Sequence, residues 1–568
     1  MFVKTTRVRR DNRVYEYLSL AEAYRDEGGK TRHRTLVRLG EASQLRDTGE
    51  LERIIATLKR HVDNDGAGGG GRVAVDDLQA AAAPGLGAVE AVAAWWDRLS
   101  LGGLFGGGET AEAVFAMVAN RLVAPSSKRR VPEWASEDVA MPAWFAHPPL
   151  HRYYRAVDTV ADDKESIESH LYARLTDLAN LDLSLVCYDL TSTFFEGSVE
   201  ASDRFPSRAF GYSRDHRSDR PQVMIGLLTT SDGIPIAHHT FAGNTADVAT
   251  LPGVLADLGD RFGVGRICVV ADRGLVSETN LDALAAGGFD HVLATRLHRD
   301  PTCAQALEAS DRPEAVWEPV AEANSAACDV TLADGRRCVV VASSGRWARD
   351  TGRTAELVAA TEHKLLALEQ RVRDGRLKDA AKIGRAAQRI LGPSGVGRLF
   401  DVEIGTGRFL YHYRDEAFDY EQMLAGRYVL TTSLGPRQAT AAQVVRHYRQ
   451  LTHIEHRFRV LKDFLHLRPV YHWTENRVRG HIGICVLAAV IEALITRDFT
   501  DAAVQDPDLD GQTISCARAL QQLDRIRAVT LNAGDRTIEV VTRPTPLQAR
   551  ILTALDIDTS SWTKAHIT

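Results

Sequence analysis

The chain has 568 residues, 44% hydrophobic and 25% charged, which fits a folded protein of three or four domains at roughly 100–200 residues each. Lys and Arg total 69 against 75 Asp and Glu, and the net charge of −6 argues against a nucleic-acid partner unless the cations are gathered locally. Neither a secretory leader nor a membrane span is expected: residues 1–4 run into Arg7, Arg9 and Arg10, and the longest apolar run, 482–495, is broken by Glu492.

Residues 1–64 read as a basic N-terminal unit. Alternation at 14–18 and 34–39 around Gly28-Gly29 predicts a small β-hairpin, with a helix over 49–63. Residues 1–46 hold 11 Lys/Arg and 6 Asp/Glu, so this piece is either a DNA contact or a solvated strand edge. Residues 65–72 contain four consecutive glycines and read as a flexible linker. Periodic Leu, Ala and Val make 73–180 a helical linker domain.

From residue 181 the pattern turns to β. Strands are predicted over 183–195, 222–230 and 234–241, with Ser231-Asp232-Gly233 as a hairpin turn. A helix over 246–262, an apolar strand over 266–271, a helix over 277–287 and a strand over 291–295 follow. That order predicts an α/β fold with a mixed five-stranded sheet flanked by helices. The first part of this core is placed at 181–296 and an inserted α+β subdomain at 297–436. The insertion shows strands near 337–342, 398–413 and 427–432 and a helical stretch over 354–391, which carries 8 Lys/Arg and 3 Asp/Glu within 364–389. The core resumes over 437–500 with an amphipathic helix at 438–466 and an apolar helix at 478–497, and an α+β cap occupies 501–568. Seven scattered cysteines without a Cys-x-x-Cys pair read as reduced thiols in a cytoplasmic protein.

Three carboxylates stand out by position. Asp189 lies inside an apolar strand, Asp272 ends another, and Glu455 lies on the His- and Arg-rich helix. The bland reading of any one is an ion pair or a cap. Buried acids need cations, and an all-oxygen cluster suits Mg²⁺ or Mn²⁺. Tyr448, Glu455 and Lys462 are spaced by seven, about two turns, and so share a helix face separate from the apolar one of Val444, Val445, Leu451, Ile454, Phe458 and Leu461. Residues 436–482 hold 9 Lys/Arg, 3 Asp/Glu and six His. Arg214, His216, Arg217 and Arg220 form another basic group, read either as a DNA contact or as a solvated loop. Trp473 reads first as a packing residue and second as a base-stacking one.

These residues resemble a known family. Cys187-Tyr188-Asp189-Leu190-Thr191-Ser192-Thr193, the segment Gly211 to Arg217 with Pro221-Gln222-Val223, the segment Phe241 to Asp247, Ala271-Asp272-Arg273-Gly274, and the trio Tyr448, Glu455, Lys462 occur in the order found in DDE transposases of bacterial insertion sequences. The resemblance is to the branch with a Tyr…Glu…Lys helix and a β-rich insertion before the Glu. Leu451 stands where that pattern has Arg, leaving Arg449 or Arg457 to replace it, and Leu275 stands where some related elements carry an aromatic residue.

The resemblance implies an RNase H-like core in which Asp189, Asp272 and Glu455 are catalytic and hold two Mg²⁺ ions, Mn²⁺ substituting. It places Tyr448, Arg459, Lys462, Arg273, His216 and Arg217 on DNA. It implies hydrolysis that frees a 3′-OH and transesterification that joins it, by a homodimer acting on double-stranded terminal inverted repeats and target DNA, at the nucleoid in the cytoplasm and with no membrane. The alternatives are an endonuclease of the same fold without strand transfer, and a catalytically dead DNA-binding descendant.

Overall fold

The computed structural model describes residues 2–10, 13–25, 31–43, 78–179, 184–196, 206–262, 267–295, 300–321, 324–533, 536–563 and 566–567. The expected helix over 49–63, the linker at 65–72 and the Gly28-Gly29 turn lie outside these residues.

The N-terminal unit is a three-stranded antiparallel sheet of β1 (Phe2–Arg10), β2 (Arg13–Arg25) and β3 (Thr31–Glu41), not a hairpin alone. The extra strand β1 is rich in Val, Thr and Arg. Those residues suit an extended chain but give no apolar alternation to read. It is held partly by Arg7, whose Nε donates to Glu16 at 2.7 Å across the β1–β2 ladder.

A short strand, β4 (Leu78–Ala82), precedes a helical layer: α1 (Gly87–Arg98), α2 (Gly108–Val123), α3 (Leu150–Asp162) and α4 (Lys164–Ala179). Then come β5 (Leu185–Phe194), β6 (Gln222–Thr230), β7 (Pro235–Ala242), α5 (Leu251–Phe262), β8 (Cys268–Ala271), α6 (Glu278–Ala286) and β9 (Asp290–Ala294). Ser277 caps α6 by accepting from the Asn280 N–H.

The remainder runs α7 (Pro301–Ser310), β10 (Trp317–Pro319), β11 (Ser325–Thr331), β12 (Arg337–Ser343), α8 (Ser344–Arg373), α9 (Ala380–Leu391), β13 (Phe400–Gly405), β14 (Arg408–Tyr413), α10 (Asp415–Leu424) and β15 (Arg427–Thr432). Next are α11 (Ala441–Arg449), α12 (Leu451–Arg459) and α13 (Glu475–Asp501). The chain closes with α14 (Cys516–Leu523), β16 (Ala528–Ala533), β17 (Arg536–Val541), α15 (Pro546–Ala554) and β18 (His566–Ile567).

The large sheet has nine strands in the order β10-β11-β12-β15-β9-β8-β5-β6-β7. The expected five-stranded sheet is its half from β9 to β7, so the strand number is corrected. Within that half, β5, β8 and β9 are parallel, and β5, β6 and β7 are antiparallel. The other four strands come from the insertion. They join because β15 pairs with the edge of β9, with Leu430 opposite Ala294. An open edge of unpaired N–H and C=O groups is a template for such addition.

The insertion has a definite root. β12 and β15 are antiparallel neighbours, Ala342 lies opposite Arg427, and the Ser343 N–H donates to the Gly426 carbonyl at 2.9 Å. Residues 344–425 thus emerge where a hairpin turn would close. They have their own apolar core, including Leu365, Leu368, Ile383, Leu399, Phe400 and Phe409. The single helix expected over 354–391 is α8 and α9, separated at Gly375, whose φ of +73° ends the first. The strand expected over 398–413 is the β13–β14 hairpin, turning at Gly407 with φ +66°.

Helices cover both faces of the core half. α5 and α6 pack against Val186, Tyr188, Leu190 and Val269. On the opposite face α11, α12 and α13 pack against Cys187, Ile225, Leu227 and Val270. α13 is apolar on every side and buried along most of its length. Among the described residues it is the one helix long and apolar enough to cross a membrane, and it lies inside the core instead. Its Glu492 is neutralised by the buried guanidinium of Arg457 on α12. All seven cysteines are buried and unpaired as disulfides. Strand β4 joins β16, so the segment before the helical layer and the C-terminal cap share one sheet, β18-β17-β16-β4.

Candidate active site

Strand periodicity brings the first two acids together. Side chains alternate along a strand, so Cys187 and Asp189 leave β5 on one face, and Tyr188 and Leu190 on the other. Cys187 faces α12, which makes Asp189 face it too. Parallel pairing sets Tyr188 beside Ala271. One residue further on, Asp189 and Asp272 extend the same register. Asp272 is exposed, just beyond the end of β8, where open α/β sheets place ligands.

The third acid comes from α12, which crosses β5. Leu451, Ile454 and Phe458 bury the helix on the sheet and leave Glu455 exposed. Asp189 is half-buried and takes the Leu190 N–H on Oδ1 at 2.7 Å. Its carboxyl is pushed up to about 7 by burial, and by the charges of Asp272 and Glu455, against the opposing pull of the Leu190 N–H and of Arg214. The three acids therefore share one electrostatic site. Among the described residues no three His, Cys, Asp or Glu side chains are gathered tightly enough to hold a metal ion as they stand. The donor chemistry fits a hard divalent cation, since it is all carboxylate and its members repel one another without a cation between them.

The neighbours of the acids differ from the expected set. Tyr448 is half-buried, donates its hydroxyl to Asp272 Oδ1 at 3.4 Å and lies against the Tyr428 ring at 5.8 Å. Burial and Asp272 hold its phenol well above the usual tyrosine range. Lys462 follows Glu455 across a change of helix type and is committed to a partner of its own. The helix is interrupted at Gln450, and a π-helical turn over Val460–Phe464 breaks the seven-residue repeat. Lys462 instead donates to Asp215 at 2.8 Å, and Arg468 also holds that carboxylate. Arg459 is exposed. The Arg273 side chain lies outside the described residues.

The basic loop is largely neutralised by carboxylates in and around it. Arg217 grips Asp219 at 2.8 and 2.9 Å, and Arg214 pairs with Asp247 at 2.7 Å. Arg220 lies 3.3 Å from Glu196, while His216 stays exposed. Arg457 is committed to Glu492 and to the Gly233 carbonyl at 3.0 Å, so it cannot take the place of the Arg that Leu451 replaces. What sequence reasoning missed is how residues of the quoted segments pair: Asp215 with Lys462 and Arg214 with Asp247. These partners lie 247 and 33 residues apart, and nothing in the local pattern points to the pairings.

Residues 187–491 match the family model described as the transposase DDE domain, and residues 2–68 match the N-terminal domain of the IS1634 family transposases. A search of curated proteins returned no match. Among solved structures, the cryo-EM structure of the piggyBac transposase synaptic complex with hairpin DNA aligns at 10% identity and a TM-score of 0.34, over 73% of this chain and 70% of that one.

Proposed function

The chain belongs to the DDE transposase family and is a DNA transposase, and from that premise we propose that Asp189, Asp272 and Glu455 form its catalytic site, acting on the ends of its own insertion sequence. The observation that carries this reading is the convergence of Asp189 on β5 and Asp272 just past β8, each one residue beyond the Tyr188–Ala271 pair, with Glu455 from the helix crossing β5. The β9-β8-β5-β6-β7 half, with helices on both faces, is the RNase H-like core of this proposal.

The family depends on divalent metal, and the three carboxylates are the residues that would hold it, as two Mg²⁺ ions. Bound divalent cations supply Lewis acidity to the phosphate oxygens and lower the pKa of an attacking water. Tyr448 positions Asp272 through its hydroxyl, and Arg214 offsets part of the negative charge around Asp189. The reaction has two displacements at phosphorus. Water attacks a phosphodiester, the bond to O3′ breaks, and the released strand carries a 3′-OH. That 3′ oxygen then attacks a second phosphodiester, forming one P–O bond as another P–O3′ bond breaks. Terminal inverted repeats and target DNA are the substrates, and two copies of the chain hold the two ends at the cytoplasmic nucleoid.

The test uses purified full-length protein, element-end DNA and Mg²⁺. Asp189→Asn and Glu455→Gln are each expected to lower cleavage and joining by more than the ~10–100-fold typical of residues that only support metal ligands. Both variants should still bind the ends. Variants that cleave and join like the wild type would overturn the assignment. Cleavage without joining of pre-cut ends would make the protein a nuclease.

A further inference from the structure

Beyond the C-terminal end of the Glu455 helix lies a cavity of about 630 Å³, which none of the roles above uses. It opens between the loop after α2 and the 466–474 segment that leads into α13. That segment is fixed to the strand bearing Asp189: Val470 bridges Phe195, and its N–H donates to the Phe194 carbonyl at 3.0 Å. Arg468 lines the cavity and also holds Asp215, which Lys462 shares, so the cavity adjoins the far side of that ion cluster.

The lining is cationic and aromatic. None of the residues lining it is acidic. Two of its cations are buried without a carboxylate partner among the described residues. Arg121 is 6% exposed and donates to the carbonyls of Leu465, His466 and Ser126. Lys128 is 5% exposed and lies 2.6 Å from His481 Nδ1. His481 Nε2 meets the Leu467 carbonyl at 3.0 Å, which can only accept, so Nδ1 is the acceptor and Lys128 the donor. Burial draws Lys128 well below the ordinary lysine range, as expected for a cation lacking a counter-charge. At the rim, Arg129 and Trp473 are exposed, Trp473 by 54%, and Arg208 lies 5.5 Å over the indole ring. An indole that served only to pack a helix would be covered.

We infer that this cavity is a binding site for a single-stranded nucleotide of the DNA, its phosphate taken by Arg121, Lys128 and Arg129 and its base stacked on Trp473. An anion in the cavity gives both buried cations the partner they lack. The volume falls within the ~300–1,000 Å³ of ordinary small-ligand sites. Duplex DNA is too wide for it, and a lone phosphate would leave the aromatic rim unused. The inference rests on the transposase reading and adds a site for strands separated at a cut end.

The test measures binding of a single strand of about six nucleotides containing 2-aminopurine, and separately of an element-end duplex, to the full-length protein without metal. The single strand should bind with quenched fluorescence and weaken steeply with salt. Both rim positions are exposed: Trp473→Ala should weaken it by about tenfold, within the range of base–aromatic stacking, and Arg129→Ala should weaken it and make its salt dependence shallower, as loss of a phosphate contact does. Lys128→Met should weaken it too, and thermal melting shows whether that buried change leaves the fold intact. If both rim variants bind the single strand like the wild type, or if the wild type binds duplex but no single strand, the pocket inference falls and the transposase reading stands. A chain that binds neither DNA would sink both.

Discussion

Glu168 and Asp189 are both enclosed carboxylates, yet their surroundings act in opposite senses. Glu168 on α4 contacts Lys164 at 2.7 Å, Arg261 at 2.8 Å and the Nδ1 of His238 at 2.8 Å. Burial opposes its ionisation, but the His238 hydrogen bond and the nearby positive charge outweigh burial and hold it far below the usual range. Burial keeps His238 itself below its ordinary value, so the lasting cations are Lys164 and Arg261. Asp189 has acids where Glu168 has bases, and its carboxyl rises. One arrangement ties α4 to β7 and α5, and the other is the cation site proposed above. A carboxylate depressed in the folded state adds stability above its unfolded pKa near 4.5, and that stability is lost as pH falls below it. Glu168→Gln should therefore cost about 3–5 kcal/mol at neutral pH, by leaving buried cations unpaired. In denaturant titrations the gap from wild type should narrow as pH falls below 4.5. A gap constant with pH would mean that the loss is one of packing, not charge. Asp189 was legible because a charge inside an apolar strand is anomalous. Glu168 was not, because its partners at 238 and 261 lie 70 and 93 residues away.

Elements carry their sequence signal unevenly. β6 and β15 have the limits their β-branched residues predict, since each is a strand with apolar neighbours on both sides. The Glu455 helix was legible as amphipathic, but its breaks at Gln450 and Val460–Phe464 were not. Helical periodicity records which residues are buried and says little about a one-residue slip in hydrogen bonding. α13 shows what a glycine inside a helix can be for. A Cβ on Gly480 would stand 2.0 Å from the Val157 carbonyl oxygen of α3, and one on Gly483 would stand 2.8 Å from a Val160 methyl. The two helices thus approach through missing side chains. Gly480→Ala gains helix propensity of about 1 kcal/mol but forces α13 away from rigid backbone, an overpacking cost of about 1–3 kcal/mol or more. Net destabilisation is expected in thermal melts, and Gly253→Ala, where nothing lies within 4 Å, should show none. Because α13 also holds Arg457 through Glu492, the Gly480 change should reduce activity by shifting the Glu455 helix.

At the scale of the whole molecule, the net charge of −6 hides a division of labour. The cations concentrate at 1–46, 364–389 and 436–482, and the rest of the chain is acidic. The middle cluster belongs to the unit at 344–425, which leaves and re-enters the sheet between paired strands. An insertion rooted where two strands already meet adds no loop to close when it is removed, since Ser343 and Gly426 are hydrogen-bonded neighbours. Sequence could place the insertion, because strands and helices interrupt the core between Asp272 and Glu455. It could not show that only part of the insertion is separable, because the pairing of β12 with β15 spans some 80 residues and leaves no local trace. Replacing 344–425 with an Asn-Gly turn should leave the nine-stranded sheet folded, as that dipeptide closes a tight hairpin. Besides the exposed Trp347, which rests on Gly426, and the Arg346 contact over Tyr428 at 5.1 Å, the change removes the buried Leu424 and the partly buried Tyr420 and Met423 from the core they share with Leu307, Cys328, Val340 and Val429. A cooperative but lower melting transition is expected, since losing buried Leu424 costs about 2–5 kcal/mol, together with weaker DNA binding. Each phosphate contact supplied by α8 and α9 contributes about 0.9 to the slope of log affinity against log salt. The shortened protein should therefore show a shallower salt dependence. An unchanged slope would place the DNA on the other two basic segments and make the insertion a scaffold. A collapsed sheet would show that β12 and β15 need the insertion to pair.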